Sequence, residues 1–270
     1  MDDFSVTANI GKFQDPNLTA KGEARAHVAL TKPETIWFNT GTLCNITCAN
    51  CYIESSPTND ALVYLTRAEV EPYLDEIAEL GWAVREIAFT GGEPFMNPEM
   101  IPMMEAALER GFEVLVLTNA MRPMQRKTVL AGLQDLHERF GDKITLRISV
   151  DHYSEALHDA ERGKGSLERT LIGMRWLRDA GIKTAVAGRI AFHEDEAAAR
   201  EGYAALYADN DFKIDAYNAG MTVLFPEMDM SAEVPEITTD CWGILGKAPE
   251  EVMCSSSRMV VKRKGAERPA

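Results

Sequence analysis

What most limits how this chain can fold is a regular alternation of strand-like and helix-like segments. Strand-like runs fall at Thr35–Thr40, Arg85–Thr90, Glu113–Thr118, Ile144–Val150, Lys183–Ile190 and about Ile214–Leu224. Between the first two, Thr66 and Glu69 form a capping-box pattern, Val70, Leu74, Ile77 and Leu80 share one helical face, and Gly81 follows as a stop. A second helix is expected with Asn97 as N-cap and Pro98 at its first position, ending at Gly111. Further helical patterns cover Met124–Arg139, a run from about Leu167 to Gly181, and Glu194–Ala208. Strands alternating with helices at this spacing predict βαβ units and a parallel sheet, either doubly wound or curled into a complete or partial barrel.

The 270 residues are enough for one barrel-sized domain. Residues 1–33 lack a clear period and read as an N-terminal extension; 34–225 hold the α/β repeat. Residues 226–270 read as an irregular segment, with Pro226, Pro235, Pro249, Cys241, Cys254 and a strand-like Met259–Lys264.

Three of the five cysteines lie within eight residues, in Cys44-Asn-Ile-Thr-Cys48-Ala-Asn-Cys51, directly after the first strand. Three thiolates on one loop can hold three corners of an iron–sulfur cubane, leaving one iron open to an external chelate. The same thiolates read alternatively as part of a zinc site lacking a nearby fourth ligand, His27 and His152 being the closest histidines. After the second strand comes Phe89-Thr90-Gly91-Gly92-Glu93-Pro94. Its glycines let backbone approach a ligand closely, and Glu93 offers a carboxylate to an ammonium; a plain βα turn would carry similar residues. In the fourth strand Thr145, Arg147, Ser149 and Asp151 alternate with Ile144, Leu146, Ile148 and Val150, so the polar set occupies one face. Thr118, Asn119 and Arg189 also fall at strand ends. The polar residues thus gather at the carboxyl ends of consecutive strands, where parallel α/β folds build their sites.

Cys-x3-Cys-x2-Cys after the first strand, with Gly-Gly-Glu-Pro after the second, resembles the radical S-adenosylmethionine (SAM) superfamily. The Thr-Asn and Ser-x-Asp series is similar to the subgroup of the molybdenum-cofactor protein A and the SPASM/twitch enzymes. The resemblance implies a partial (β/α)6 TIM-like barrel over about Thr35–Leu224. It implies a [4Fe–4S] cluster on Cys44, Cys48 and Cys51, with SAM chelating the fourth iron through its amino and carboxylate groups. Reductive cleavage of SAM would give a 5′-deoxyadenosyl radical that abstracts hydrogen from a peptide or small molecule, with a reductant such as flavodoxin or ferredoxin. Carried over by position, Gly91, Gly92 and Glu93 meet the methionine amino group, Thr118 and Ser149 the ribose or carboxylate, and Arg189 the carboxylate. Asn50 departs from the aromatic residue often found there and offers main-chain contacts. Asp151 is expected to orient other residues. Cys241 and Cys254 stand where the subgroup keeps an auxiliary cluster, or are two ordinary buried cysteines.

A net charge of −14 argues against nucleic acid as a partner. No apolar run has the length of a membrane span, and Asp2 and Asp3 sit where a secretory signal would be basic, so a cytoplasmic protein is expected. Two other readings are a zinc-stabilised α/β binding module and a scaffold that keeps the cluster without catalysis.

Overall fold

The computed structural model describes residues 11–191, 194–227, 229 and 231–270. The first ten residues, part of the expected N-terminal extension, lie outside the described residues. The chain divides into two compact units. The described residues of Met1–Pro33 and Met228–Arg258 form one, and Glu34–Glu227 with Met259–Ala270 form the other.

The larger unit is a partial TIM-like α/β barrel. Its strands are β1 (Thr35–Asn39), β2 (Glu86–Thr90), β3 (Glu113–Thr118), β4 (Ile144–Ser149), β5 (Lys183–Ile190) and β6 (Thr222–Pro226). All five neighbouring pairs from β1 to β6 are parallel. A seventh strand, β7 (Ser257–Val260), completes the order β6-β5-β4-β3-β2-β1-β7. The crossovers are α1 (Arg67–Glu79), α2 (Met100–Glu109), α3 (Lys127–Phe140), the pair α4 (Glu155–Arg162) and α5 (Ser166–Asp179), and α6 (Glu196–Asp209).

Period 2 divides the sheet's faces as the alternation requires. Ile36, Phe38, Ile87, Phe89, Val114, Val116, Ile144, Leu146 and Ile148 are buried in the core with the helices. Phe38, Phe89, Val116 and Leu146 share one register row across four strands, with the two rings stacked at 5.8 Å. Burying each such side chain contributes about 1.5–3 kcal/mol. Thr145, Arg147 and Ser149 point to the opposite, concave face and are half-buried.

Three local expectations are corrected. Helix α2 starts at Met100 rather than Pro98, because Pro94–Met96 forms a 3-10 turn and Asn97 turns inward, its amide donating to Leu65 O at 2.8 Å. Strand β6 starts at Thr222, since an Asn218 turn closes on Met221 and Thr222 before it. Helix α4 was not expected at all.

In the smaller unit, β-bridges tie Leu18 to Ala24 and Arg25 to Thr238, and Glu236 pairs with Arg25. Its one α-helix among the described residues is α7 (Cys241–Leu245).

Candidate functional site

The loop after β1 carries Cys44, Cys48 and Cys51, all free, the first buried and the others half-buried. Burial pushes the Cys44 thiol up to about 12, with Glu93 and Cys48 adding to the rise. Burial also raises Cys48, against the pull of the Arg162 guanidinium. Thiolate is the ligand form, so binding of a metal centre must release these protons. The donors fit an iron–sulfur cluster: three sulfurs from one loop, Cys48 within electrostatic reach of both others. Among the described residues no three His, Cys, Asp or Glu group as ligands of one ion.

The loop is built against the segment after β2. Gly92 N donates to Gly41 O at 2.8 Å and Glu93 N to Leu43 O at 3.1 Å. A Cβ on Gly92 would stand 2.3 Å from Leu43 O, and one on Gly91 2.6 Å from Gly41 O. The close approach these glycines permit is therefore to the stem of the cysteine loop itself. Glu93 is 1% exposed. It accepts from the Thr118 hydroxyl at 2.7 Å, Asn119 N at 2.9 Å and Phe95 N at 3.2 Å. Burial raises its carboxyl, and these three donors oppose the rise. A carboxylate has about four lone-pair sites, so one acceptor direction is left for a further donor.

Behind the loop lies an ion network that sequence reasoning missed. Arg162, at the end of α4, grips Asp151 with two bonds of 2.6 and 3.1 Å. Burial alone would lower its pKa, but Asp151 and the Cys48 and Cys44 sulfurs hold it above the usual arginine value. Asp151 is held low despite its burial, by Arg162 first and then Arg189. Glu161 accepts from Asn50 N at 2.7 Å and Asn50 Nδ2 at 2.9 Å. Arg189 donates to Asn50 O at 2.8 Å and stands 3.5 Å from Glu161 and 3.6 Å from Asp151. Asn50 and Arg189 thus pin the cysteine loop to α4 and β5. The clue to α4 was present in Ser154, its N-cap, Gly163 beyond its end, and His158 and Arg162 four residues apart.

The remaining expected residues share this sheet end. Thr118 closes β3 and its hydroxyl is used on Glu93; Ser149 closes β4, half-buried, in register with Ala187. Asn119 reaches the loop through Asn45 at 2.9 Å. Ala120 next to it sits at φ 55°, a left-handed conformation of the kind that collects at functional sites. Cys241 opens α7 half-buried and Cys254 is exposed, both in the smaller unit. Cys254 is therefore not the ordinary buried cysteine that one sequence reading allowed.

The radical SAM superfamily model matches residues 38–201, more than half of the chain. The chain belongs to the radical SAM superfamily. Among curated proteins it is similar to the antilisterial bacteriocin subtilosin biosynthesis protein AlbA of Bacillus subtilis (strain 168). They are 34% identical over 53% of this chain and 30% of that protein. It is also similar to an AdoMet-dependent heme synthase of Methanosarcina barkeri (strain Fusaro / DSM 804), 30% identical over 60% of this chain and 45% of that one. The chain thus spans less than half the length of either. In fold it resembles Streptococcus suis SuiB bound to S-adenosylmethionine, with TM-score 0.58, 13% identity, and coverage of 86% of this chain and 51% of that one. Among the described residues no helix is long and apolar enough to cross a membrane.

Proposed function

We propose that this chain is the cluster-bearing barrel of a radical SAM enzyme acting on a peptide or small molecule. The observation that carries the reading is the docking of the three-cysteine loop onto Gly91-Gly92-Glu93, with Glu93 buried and one acceptor direction left. Cys44, Cys48 and Cys51 would hold a [4Fe–4S] cluster, and Glu93 the ammonium of SAM. When bound, these groups supply one-electron cleavage of SAM and a 5′-deoxyadenosyl radical that takes a hydrogen atom from substrate.

The chain's own residues do the positioning. Thr118 and the Asn119 amide fix the Glu93 carboxylate; Asn50, Glu161 and Arg189 fix the loop; Asp151 and Arg162 neutralise one another beneath it. Ser149, on the concave face at the same sheet end, would meet the ribose or carboxylate. Arg189, already engaged with Asn50, holds the loop and offers its remaining donors to the carboxylate. Electrons would come from a reductant such as flavodoxin or ferredoxin in the cytoplasm. Cys241 and Cys254 would provide two thiolates of an auxiliary cluster, whose other ligands must come from elsewhere.

The test is anaerobic reconstitution followed by EPR of the dithionite-reduced protein with and without SAM. A [4Fe–4S]⁺ signal that changes on SAM addition supports the reading. Colourless protein carrying zinc would replace it with the binding-module alternative.

A further inference from the structure

The segment that follows Cys51 folds back on it. Glu54, at φ 51°, makes the turn, its N–H donating to Cys51 O at 3.0 Å. The next amide, Ser55 N, then donates to Cys51 Sγ at 3.3 Å. One residue later Ser56 O accepts from Cys44 N at 3.0 Å. Ser55 is therefore lodged between two of the three cysteines, and it is 4% exposed. Its hydroxyl is buried and has no hydrogen-bond partner among the described residues. The neighbouring Ser56 shows the contrast: its hydroxyl accepts from Asn59 N at 3.0 Å and Thr58 N at 3.3 Å, an ordinary loop-closing role.

A buried hydroxyl without a partner is unusual in a folded protein and points to a functional role. A serine hydroxyl carries one donor free to rotate, and here it sits on the residue whose amide already faces a ligand sulfur. We propose that Ser55 is a positioning residue for the cluster, its hydroxyl donating a hydrogen bond to the cluster's sulfurs at the Cys51 edge and raising its reduction potential. This rests on the assignment of the cluster to Cys44, Cys48 and Cys51. Hydrogen bonds to the sulfurs are among the levers that set iron–sulfur potentials. The direction follows from charge: one-electron reduction makes the cluster more negative, so a donor stabilises the reduced form more than the oxidised one. The backbone N–H of Ser55 makes its bond whatever the side chain, which isolates the hydroxyl as the variable.

The experiment is a dithionite titration of the reconstituted cluster, followed by EPR, in the wild-type chain, Ser55→Ala and Ser55→Thr, with iron measured on each. The expected result is about four irons per chain in all three. At the wild-type midpoint, the reduced-to-oxidised ratio in Ser55→Ala falls about tenfold, a shift of about 59 mV for one electron. Ser55→Thr, which keeps the hydroxyl, stays near wild type. A fully loaded Ser55→Ala with the wild-type midpoint overturns the inference. If Ser55→Ala fails to load, recovery of iron and midpoint in Ser55→Thr sustains it, and failure of both variants overturns it. Wild-type protein that assembles no SAM-responsive cluster defeats the underlying assignment instead, and is recognised before any variant is compared.

Discussion

Glu93 shows how much one side chain is asked to do. Its carboxylate is fully buried, and three donors aim it, two from the end of β3 (Thr118 and Asn119) and one from the 3-10 turn after β2 (Phe95). Glu93→Gln replaces one oxygen with a donor facing the Thr118 hydroxyl or an amide N–H. Charge-assisted bonds are worth about 1.5–3 kcal/mol, so SAM affinity by calorimetry should fall at least about tenfold while cluster iron stays constant. Unchanged affinity would remove Glu93 from the ammonium. His158 gives a pH prediction at the same scale. It is fully buried on α4, neither ring nitrogen has a partner among the described residues, and burial followed by Arg162 lowers its pKa from 6.5 to about 4. Between those values the unfolded chain holds a proton that the folded chain does not. Stability is therefore fully present above pH 6.5 and falls as pH drops toward 4. At 1.36 kcal/mol per unit the loss is about 3 kcal/mol. Urea unfolding of His158→Leu at pH 7.5 and 5 should show a smaller loss between the two than wild type; equal losses would exclude His158 as the source.

At the scale of elements, the site depends on two contacts of the cysteine loop. The first is with the turn after β2, where Gly92→Ala would drive a methyl into Leu43 O. Backbone on both sides leaves little room to yield, so iron retention should drop severalfold, measured as iron per chain after reconstitution. The second is with α4. Removing Arg162 takes away both hydrogen bonds to the buried Asp151 and leaves it only the longer 3.6 Å approach of Arg189, a loss of up to about 3–5 kcal/mol, whereas removing both partners costs less. A double-mutant cycle of Arg162→Ala and Asp151→Ala should therefore be strongly non-additive in urea unfolding; additive losses would mean the pair is not coupled. The sequence made β1 to β5 legible because apolar and polar residues alternate in β4 and because Gly and Thr-Glu signals bound the helices. The residues that brace the loop were not legible. Glu161 and Arg162 sit on a short helix with no long apolar stripe, and their partners Asn50 and Asp151 are 111 and 11 residues away. Such pairing is set by the barrel's closure, and local pattern does not report it. Asn50 and Arg189 were read as cofactor contacts by position, yet the structure spends much of their hydrogen-bonding capacity on each other and on Glu161.

For the molecule as a whole, the described residues divide into the barrel unit and a smaller unit carrying Cys241 and Cys254. An auxiliary cluster there predicts about eight irons per chain, and its absence about four. A Cys241→Ala/Cys254→Ala variant should lower an eight-iron count to four, and no change would make these cysteines structural. For the barrel the proposal is that Cys44, Cys48 and Cys51 hold a cluster that cleaves SAM. Its most direct test is 5′-deoxyadenosine formed by the reconstituted, dithionite-reduced chain supplied with SAM under anaerobic conditions. Wild type should make 5′-deoxyadenosine, and Cys44→Ala, Cys48→Ala and Cys51→Ala should each make none. A fully loaded wild-type chain that forms none, or a cysteine variant that still does, would contradict it.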